Sequence, residues 1–302
     1  MDEKLLFKYA QKFKEKWEGK TIKLENNNLA FIEEARNNAK KFNLLYHCCN
    51  MDALLSIIKN KEFWLSNLAN VNDKEEYEKI DVQSYKNSYF VGCFTYDNNV
   101  PEEHWKEYGS YDNGILFSVK QDWFKKSAVF MTQNNQKMEE FHIFASNDDA
   151  MNKKIKEQEI NNRIINPYYI FDFDFYQVIY DDDLKKFILS ECESKENEKY
   201  ELLTPNVAGI VKSESGQCCR RGSEPYQKDW TTEKEVRLKV GINNTSNDMN
   251  ERPIFPKIAV PLSDEAFKEF SIQFSPNVSP VKQHSFIKKL REVLPMSKIN
   301  VM

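Results

Sequence analysis

Near residue 44 the spacing of apolar side chains changes from helical to extended, which restricts the chain to folds that combine helices with a sheet. Before that point Leu6, Tyr9, Phe13 and Trp17 recur every three or four positions, as do Ile32, Ala35, Ala39 and Phe42. Lys and Glu fill the opposite faces, so two amphipathic helices are expected, separated by a turn at Asn26-Asn27-Asn28. After it, apolar residues come in short bursts: Leu44 to Cys48, Phe63 to Ser66, Tyr89 to Phe94, Ile115 to Val119 and Tyr168 to Tyr180. Such bursts read as strands. The expected architecture is α+β, with a helical appendage over residues 1–43 and a single domain over 44–302. The helix pair either packs on that domain or offers a surface to a protein partner.

Local signals refine this outline. Asn50 is placed to cap a short helix carrying Leu54, Ile57 and Ile58, with Asp52 in its first turn. Pro101 opens a helix to Tyr108, and Ser279-Pro280 opens a last helix carrying Phe286, Leu290, Val293 and Leu294. Glu233 to Val240 alternates cleanly, with Val236, Leu238 and Val240 on one face and Glu233, Glu235 and Arg237 on the other. Residues 132–163 are polar and suggest a loop followed by an exposed helix. A short helix is expected near Asp264 to Lys268, and the charged stretch 190–201 is read as solvated.

Composition excludes several function classes. Only 8 glycines occur, and there is neither a P-loop nor a G-x-G-x-x-G fingerprint. A net charge of -4 does not suggest a duplex-DNA binder. No apolar run approaches the roughly 18 residues of a membrane span. Met1-Asp2-Glu3-Lys4 lacks the apolar core of a signal peptide. The 6 cysteines are too few for a disulfide scaffold in a chain of 302 residues. A cytoplasmic protein with no membrane association is therefore expected. Cys48-Cys49 and Cys218-Cys219 are adjacent pairs, whereas structural zinc sites use spaced ones, so no metal is expected. Cys218-Cys219-Arg220-Arg221-Gly222 forms a small basic loop upstream of the Glu235 strand, solvated or facing a phosphate.

Four blocks, taken in order, carry a family resemblance. They are Leu45-Tyr46-His47 with Leu54-Leu55, Ile57-Ile58 and Phe63-Trp64-Leu65-Ser66; Asn72-Asp73 with Glu76; Cys93-Phe94-Thr95 with Trp105, Tyr108-Gly109, Gly114 and Phe117; and Lys228, Trp230, Glu233, Glu235 and Arg237. Together they resemble the bacterial family known as domain of unknown function 2971, over roughly Tyr46 to Phe274. The opening strand ending in Tyr-His, the Leu-x-x-Ile helix and the short second strand are more distantly similar to the ADP-ribosyltransferase fold. That likeness implies a mixed, split-sheet core with short helices. It implies NAD as the bound nucleotide and substrate, and a protein or nucleic-acid acceptor. A toxin or phage-defence effector is the implied setting.

Carried onto this sequence, the likeness gives His47 the nucleotide hydrogen bond and Tyr108 or Trp105 the aromatic contact with nicotinamide. Glu235 takes the chemical step, with Glu233 beside it to orient the acceptor. Tyr46, Ser66, Asn72, Asp73 and Arg237 complete the implied binding set. Where such enzymes carry a hydroxyl residue soon after the histidine, Cys48-Cys49-Asn50 stands here. Read without the likeness, His47 and Trp105 suit structural roles, Asn72-Asp73 suits a turn, and Glu235 suits a ladder ion pair with Arg237 or Lys239. Two further classes stay open. One is a non-catalytic module binding a nucleotide or a partner. The other is a metal-dependent nuclease using Asp73, Glu76, Glu233 and Glu235.

Overall fold

The computed structural model describes residues 30–71, 88–134, 137–144, 168–182 with 185, 209–218, 224–244 and 257–302. The Leu6–Trp17 stripe, the Asn26–Asn28 turn, Asn72-Asp73 with Glu76, the stretch 190–201 and Arg220 to Gly222 lie outside the described residues. What is described is a mixed α+β fold: one large, mostly antiparallel sheet with four helices among the described residues.

Helix α1 (Ala30–Ala39) is followed by β1 (Leu45–Asn50), α2 (Met51–Asn60) and β2 (Glu62–Asn67). Buried Ala35 and Ala39 seat α1 on the sheet, and Arg36 on its side ion-pairs with Asp174 at 2.7 Å. Asn50 caps α2 by accepting from the Ala53 amide at 2.8 Å, and Lys61 ends it in the left-handed region at φ 52°. β3 (Tyr89–Thr95), α3 (Glu102–Tyr108) and β4 (Gly114–Val119) follow.

The polar stretch expected to be a loop is instead a hairpin as far as Phe144, made by β5 (Ser127–Asn134) and β6 (Lys137–Phe144). Its strands pair from Ser127 opposite Phe144 to Asn134 opposite Lys137, and β5 also pairs with β13 (Lys257–Pro261), backbone contacts that a composition-based reading does not register. Beyond β7 (Tyr168–Gln177), four short strands form two small sheets. β8 (Ile179–Tyr180) pairs with β9 (Val211–Lys212), and β10 (Ser215–Cys218) with β11 (Tyr226–Asp229). β12 (Glu235–Asn244) returns to the large sheet between β3 and β7.

The strand expected to begin at Glu233 begins at Glu235. Glu233 closes a 3-10 turn from Trp230, and Lys234 follows in the left-handed region at φ 45°. The helix expected at Asp264 to Lys268 is a pair of turns, closed by Ala266 N–H to Ser263 C=O and Lys268 N–H to Glu265 C=O. β14 (Glu269–Phe274), α4 (Pro280–Val293) and β15 (Lys298–Val301) complete the described elements. The core lies on the face of β12 and β3 that carries Val236, Leu238, Val240, Phe90 and Phe94.

The sheet splits at β3. On one side β3 pairs with β12 along its whole length, from Thr95 opposite Glu235 to Tyr89 opposite Gly241. On the other side Thr95 meets Tyr46 of β1, while Phe90 and Val91 meet Asn67 and Ser66 of β2. Among the described residues no strand pairs with Gly92, Cys93 and Phe94 on that side, where β1 and β2 diverge.

Candidate functional site in the split sheet

The divergence of β1 and β2 opens a cavity of about 240 Å³, and Gly92, Cys93 and Phe94 form part of its wall. Tyr46 and His47 reach it from β1, Ser66 from β2, Tyr108 from α3, and Glu235 and Arg237 from β12. Positions 188 apart in the chain, His47 and Glu235, thus line one space.

His47 occupies the gap itself. Its Nδ1 lies 2.9 Å from the Cys93 carbonyl oxygen. A carbonyl only accepts, so Nδ1 carries the proton and Nε2 keeps its lone pair. The ring packs edge-on against Phe63 and Phe117 and tilted against Phe94. Burial among these rings disfavours the imidazolium and pulls its pKa from 6.5 to about 4, although the Cys93 carbonyl pulls the other way. His47 is a neutral, tautomer-fixed acceptor at neutral pH.

The polar face of β12 is sealed rather than wet. Glu235 is 4% exposed and Arg237 is 2% exposed. Arg237 donates from Nε to Glu235 Oε1 at 2.7 Å and from Nη2 to Oε2 at 3.1 Å. Its Nη1 donates to the Gly209 carbonyl at 3.2 Å. Gly209 holds φ at +75°, a conformation glycine adopts without strain. The ladder pairing anticipated between Glu235 and Arg237 therefore exists as a buried two-bonded clamp instead of a weak surface pair.

Glu233 enters from the 3-10 turn and accepts three hydrogen bonds. Tyr108 Oη donates at 2.7 Å, Lys228 Nζ at 2.8 Å and Lys212 Nζ at 3.2 Å. Burial alone would raise its pKa, but the two lysines outweigh burial and hold the carboxyl well below the usual carboxylate range. Lys228 also pairs with Glu107, and Lys212 lies 3.7 Å from Glu235. Both ammonium groups sit over Trp230, Lys212 at 3.8 Å and Lys228 at 4.9 Å from the ring centroid. Three carboxylates are thus matched by three cations around one wall. Trp230 is 1% exposed, and its indole N–H has no hydrogen-bond partner among the described residues.

Of the residues implied by the sequence, Tyr46, His47, Ser66, Tyr108, Glu233, Glu235 and Arg237 line the cavity together. Trp105 is not in its wall; it packs with Cys48 and Leu116 behind Tyr46 and Tyr108. Asn72 and Asp73 lie outside the described residues, just past Asn70 and Val71, which do line the cavity. Cys93 lines it as well; its side chain is exposed to the cavity, yet desolvation there, and next the Glu235 carboxylate, raise its thiol pKa.

Sequence reasoning missed Lys212 and His104. Lys212 sits on a two-residue strand with no periodic signal. His104 lies one turn before Tyr108 on α3, in a segment read only as a helix. Lys228 stands inside the last block of the family resemblance, which was the signal available for it.

Among the described residues no group of three or more His, Cys, Asp or Glu side chains is arranged to hold a metal ion. No described helix is long and apolar enough to cross a membrane. No family model, curated protein or solved structure matches the chain.

Proposed function

We propose that the split-sheet cavity binds the nicotinamide–ribose end of NAD or a close analogue, and that the protein transfers or hydrolyses its ADP-ribosyl group. The observation that carries this reading is the meeting of Tyr46, His47, Tyr108 and Glu235 around one cavity where β1 and β2 part. At about 240 Å³ it is smaller than the roughly 300–1,000 Å³ that encloses a drug-sized ligand. It therefore suits a ring with its sugar, the remainder of a dinucleotide lying outside.

In this reading Nε2 of His47 accepts from a ribose hydroxyl, and Tyr46 or Tyr108 supplies an aromatic face. The C1′–N bond breaks, nicotinamide leaves with the bonding pair, and positive charge develops on the sugar. Glu235, oriented by Arg237, stabilises that charge, as carboxylates do in glycoside hydrolysis. The acceptor oxygen then bonds to C1′ and loses its proton. Glu233, fixed by Tyr108, Lys212 and Lys228, adds a permanent negative charge to the same wall.

The test is incubation of the purified protein with NAD labelled on the adenylate, together with a cell lysate, reading both label transfer and free nicotinamide. Either product, lost in Glu235→Gln, supports the reading. Neither product from an intact, NAD-binding protein favours a second reading, a non-catalytic nucleotide-binding module. That alternative draws on one observation, the engagement of both Glu235 oxygens by Arg237. A metal-dependent nuclease is less well supported, because Lys212, Lys228 and Arg237 already neutralise Glu233 and Glu235, two of the four carboxylates it would use.

A further inference from the structure

Both transfer and hydrolysis leave one requirement unmet by the carboxylates, a group that takes the proton from the attacking oxygen. Glu233 accepts from three donors and its negative charge is held by two lysines, so it has little affinity for a proton. Glu235 is gripped through both oxygens by Arg237. Tyr108 is a donor to Glu233, and burial, with Glu233 next, keeps its phenol protonated. The Cys93 thiol is protonated too.

Two imidazoles line the cavity wall, and that of His47 is engaged by the Cys93 carbonyl. His104 faces the cavity from α3, half-buried, with its ring 4.7 Å from that of Tyr108. Its backbone N–H bonds the Pro101 carbonyl, but its imidazole makes no hydrogen bond among the described residues. We propose that His104 is the general base that deprotonates the acceptor, water or an acceptor hydroxyl, as its oxygen attacks C1′. This rests on the NAD reading above.

The step balances without an oxidant or reductant. The acceptor oxygen bonds to C1′ as the C1′–N bond gives its pair to nicotinamide, and the acceptor proton passes to the free imidazole nitrogen. The imidazolium then returns the proton to solvent. The surrounding charges suit both halves of the cycle. Burial lowers the proton affinity of His104 below the usual 6.5, so the ring is neutral and ready to accept at neutral pH. Glu233 from the 3-10 turn, Glu107 from α3 and Glu235 from β12 favour the protonated form once it exists. Lys228 from β11 opposes it, and the His47 imidazole on β1 is neutral.

The experiment compares wild type, His104→Ala and His104→Gln for nicotinamide release from NAD between pH 5 and 9, with and without added imidazole, and checks each fold by thermal unfolding. Wild-type turnover is expected to fall on acidification with a midpoint below 6.5. Both variants are expected to lose roughly 10²–10⁴-fold in kcat, with KM changed less than tenfold and the acid limb abolished. Imidazole should partly restore His104→Ala. Retained kcat, or a reduced kcat that keeps the wild-type acid limb and ignores imidazole, would overturn His104 while leaving the NAD reading in place. A wild type that releases no nicotinamide at any pH removes both.

Discussion

Glu235 and Arg237 stand two positions apart on one strand and are joined by two parallel hydrogen bonds on a buried face of the sheet. The clamp holds the carboxylate in one orientation. It also makes each residue a condition for burying the other, since an unpaired charge there is costly.

Removing one partner should therefore cost both chemistry and stability, and removing both should separate the two. Glu235→Gln is expected to reduce NAD turnover at least about 10²-fold. It should also lower the unfolding free energy by up to roughly 3–5 kcal/mol, because Arg237 stays buried without its counter-charge. The double variant Glu235→Leu/Arg237→Met should recover much of the stability and none of the turnover. Urea unfolding beside a nicotinamide-release assay reads both.

Acid sensitivity is expected from His47. Its pKa is about 4 in the folded chain against 6.5 when unfolded. The unfolded state therefore binds more protons between those values, and stability is lost as pH falls through that window. The contribution is up to about 3 kcal/mol. His47→Phe, packed among Phe63, Phe94 and Phe117, should flatten this part of the stability–pH curve while weakening nucleotide binding. An unchanged acid slope would assign the sensitivity elsewhere.

Lys239 predicts the opposite limb. It is fully buried on β12, 4.2 Å from the Tyr89 ring centroid and 3.7 Å from Asp172, and burial brings its pKa from 10.5 down to about 8. Here too the unfolded state holds the extra proton, so stability rises with pH between 8 and 10.5, by up to about 3 kcal/mol. Lys239→Met should remove that rise and should not reduce stability at pH 7. Melting temperatures across the alkaline range are the readout.

Gly92 marks the bottom of the split. A Cβ there would come 2.6 Å from Leu65 Cδ2 and 3.1 Å from Phe63 Cε1, and Leu65 is completely buried. Gly92→Ala should destabilise the fold by roughly 1–3 kcal/mol and weaken NAD binding by shifting β2 against β3. Equal stability and affinity to wild type would show that the two strands accommodate the methyl group freely.

Much of this arrangement is legible in the sequence where a period or a cap writes it. The alternation of Val236, Leu238 and Val240 sets Glu235 and Arg237 together on the opposite face, and Asn50 marks the start of α2. The burial of that polar face is not legible. Lys212 and Lys228 come from strands of two and four residues, too short to show a period. Glu233 reads as a continuation of the strand, yet Lys234 turns the chain in the left-handed region, so Glu233 arrives from a turn. The β5–β6 hairpin is hidden because backbone pairing, which has no composition, supplies its order. His104 carries no local signal; its position is defined only by the cavity that the sheet creates.

The insertion of β12 beside β3 has a consequence for how the chain acquires its site. Thr95 and Glu235 are direct neighbours in the sheet although 140 positions separate them. Contacts of such long sequence separation slow folding, because a large loop must close before they form. A ribosome-bound chain shorter than about 240 residues has His47 and the β3 wall but no Glu235–Arg237 pair to close the cavity. Under the proposed function, turnover therefore waits on the docking of one strand.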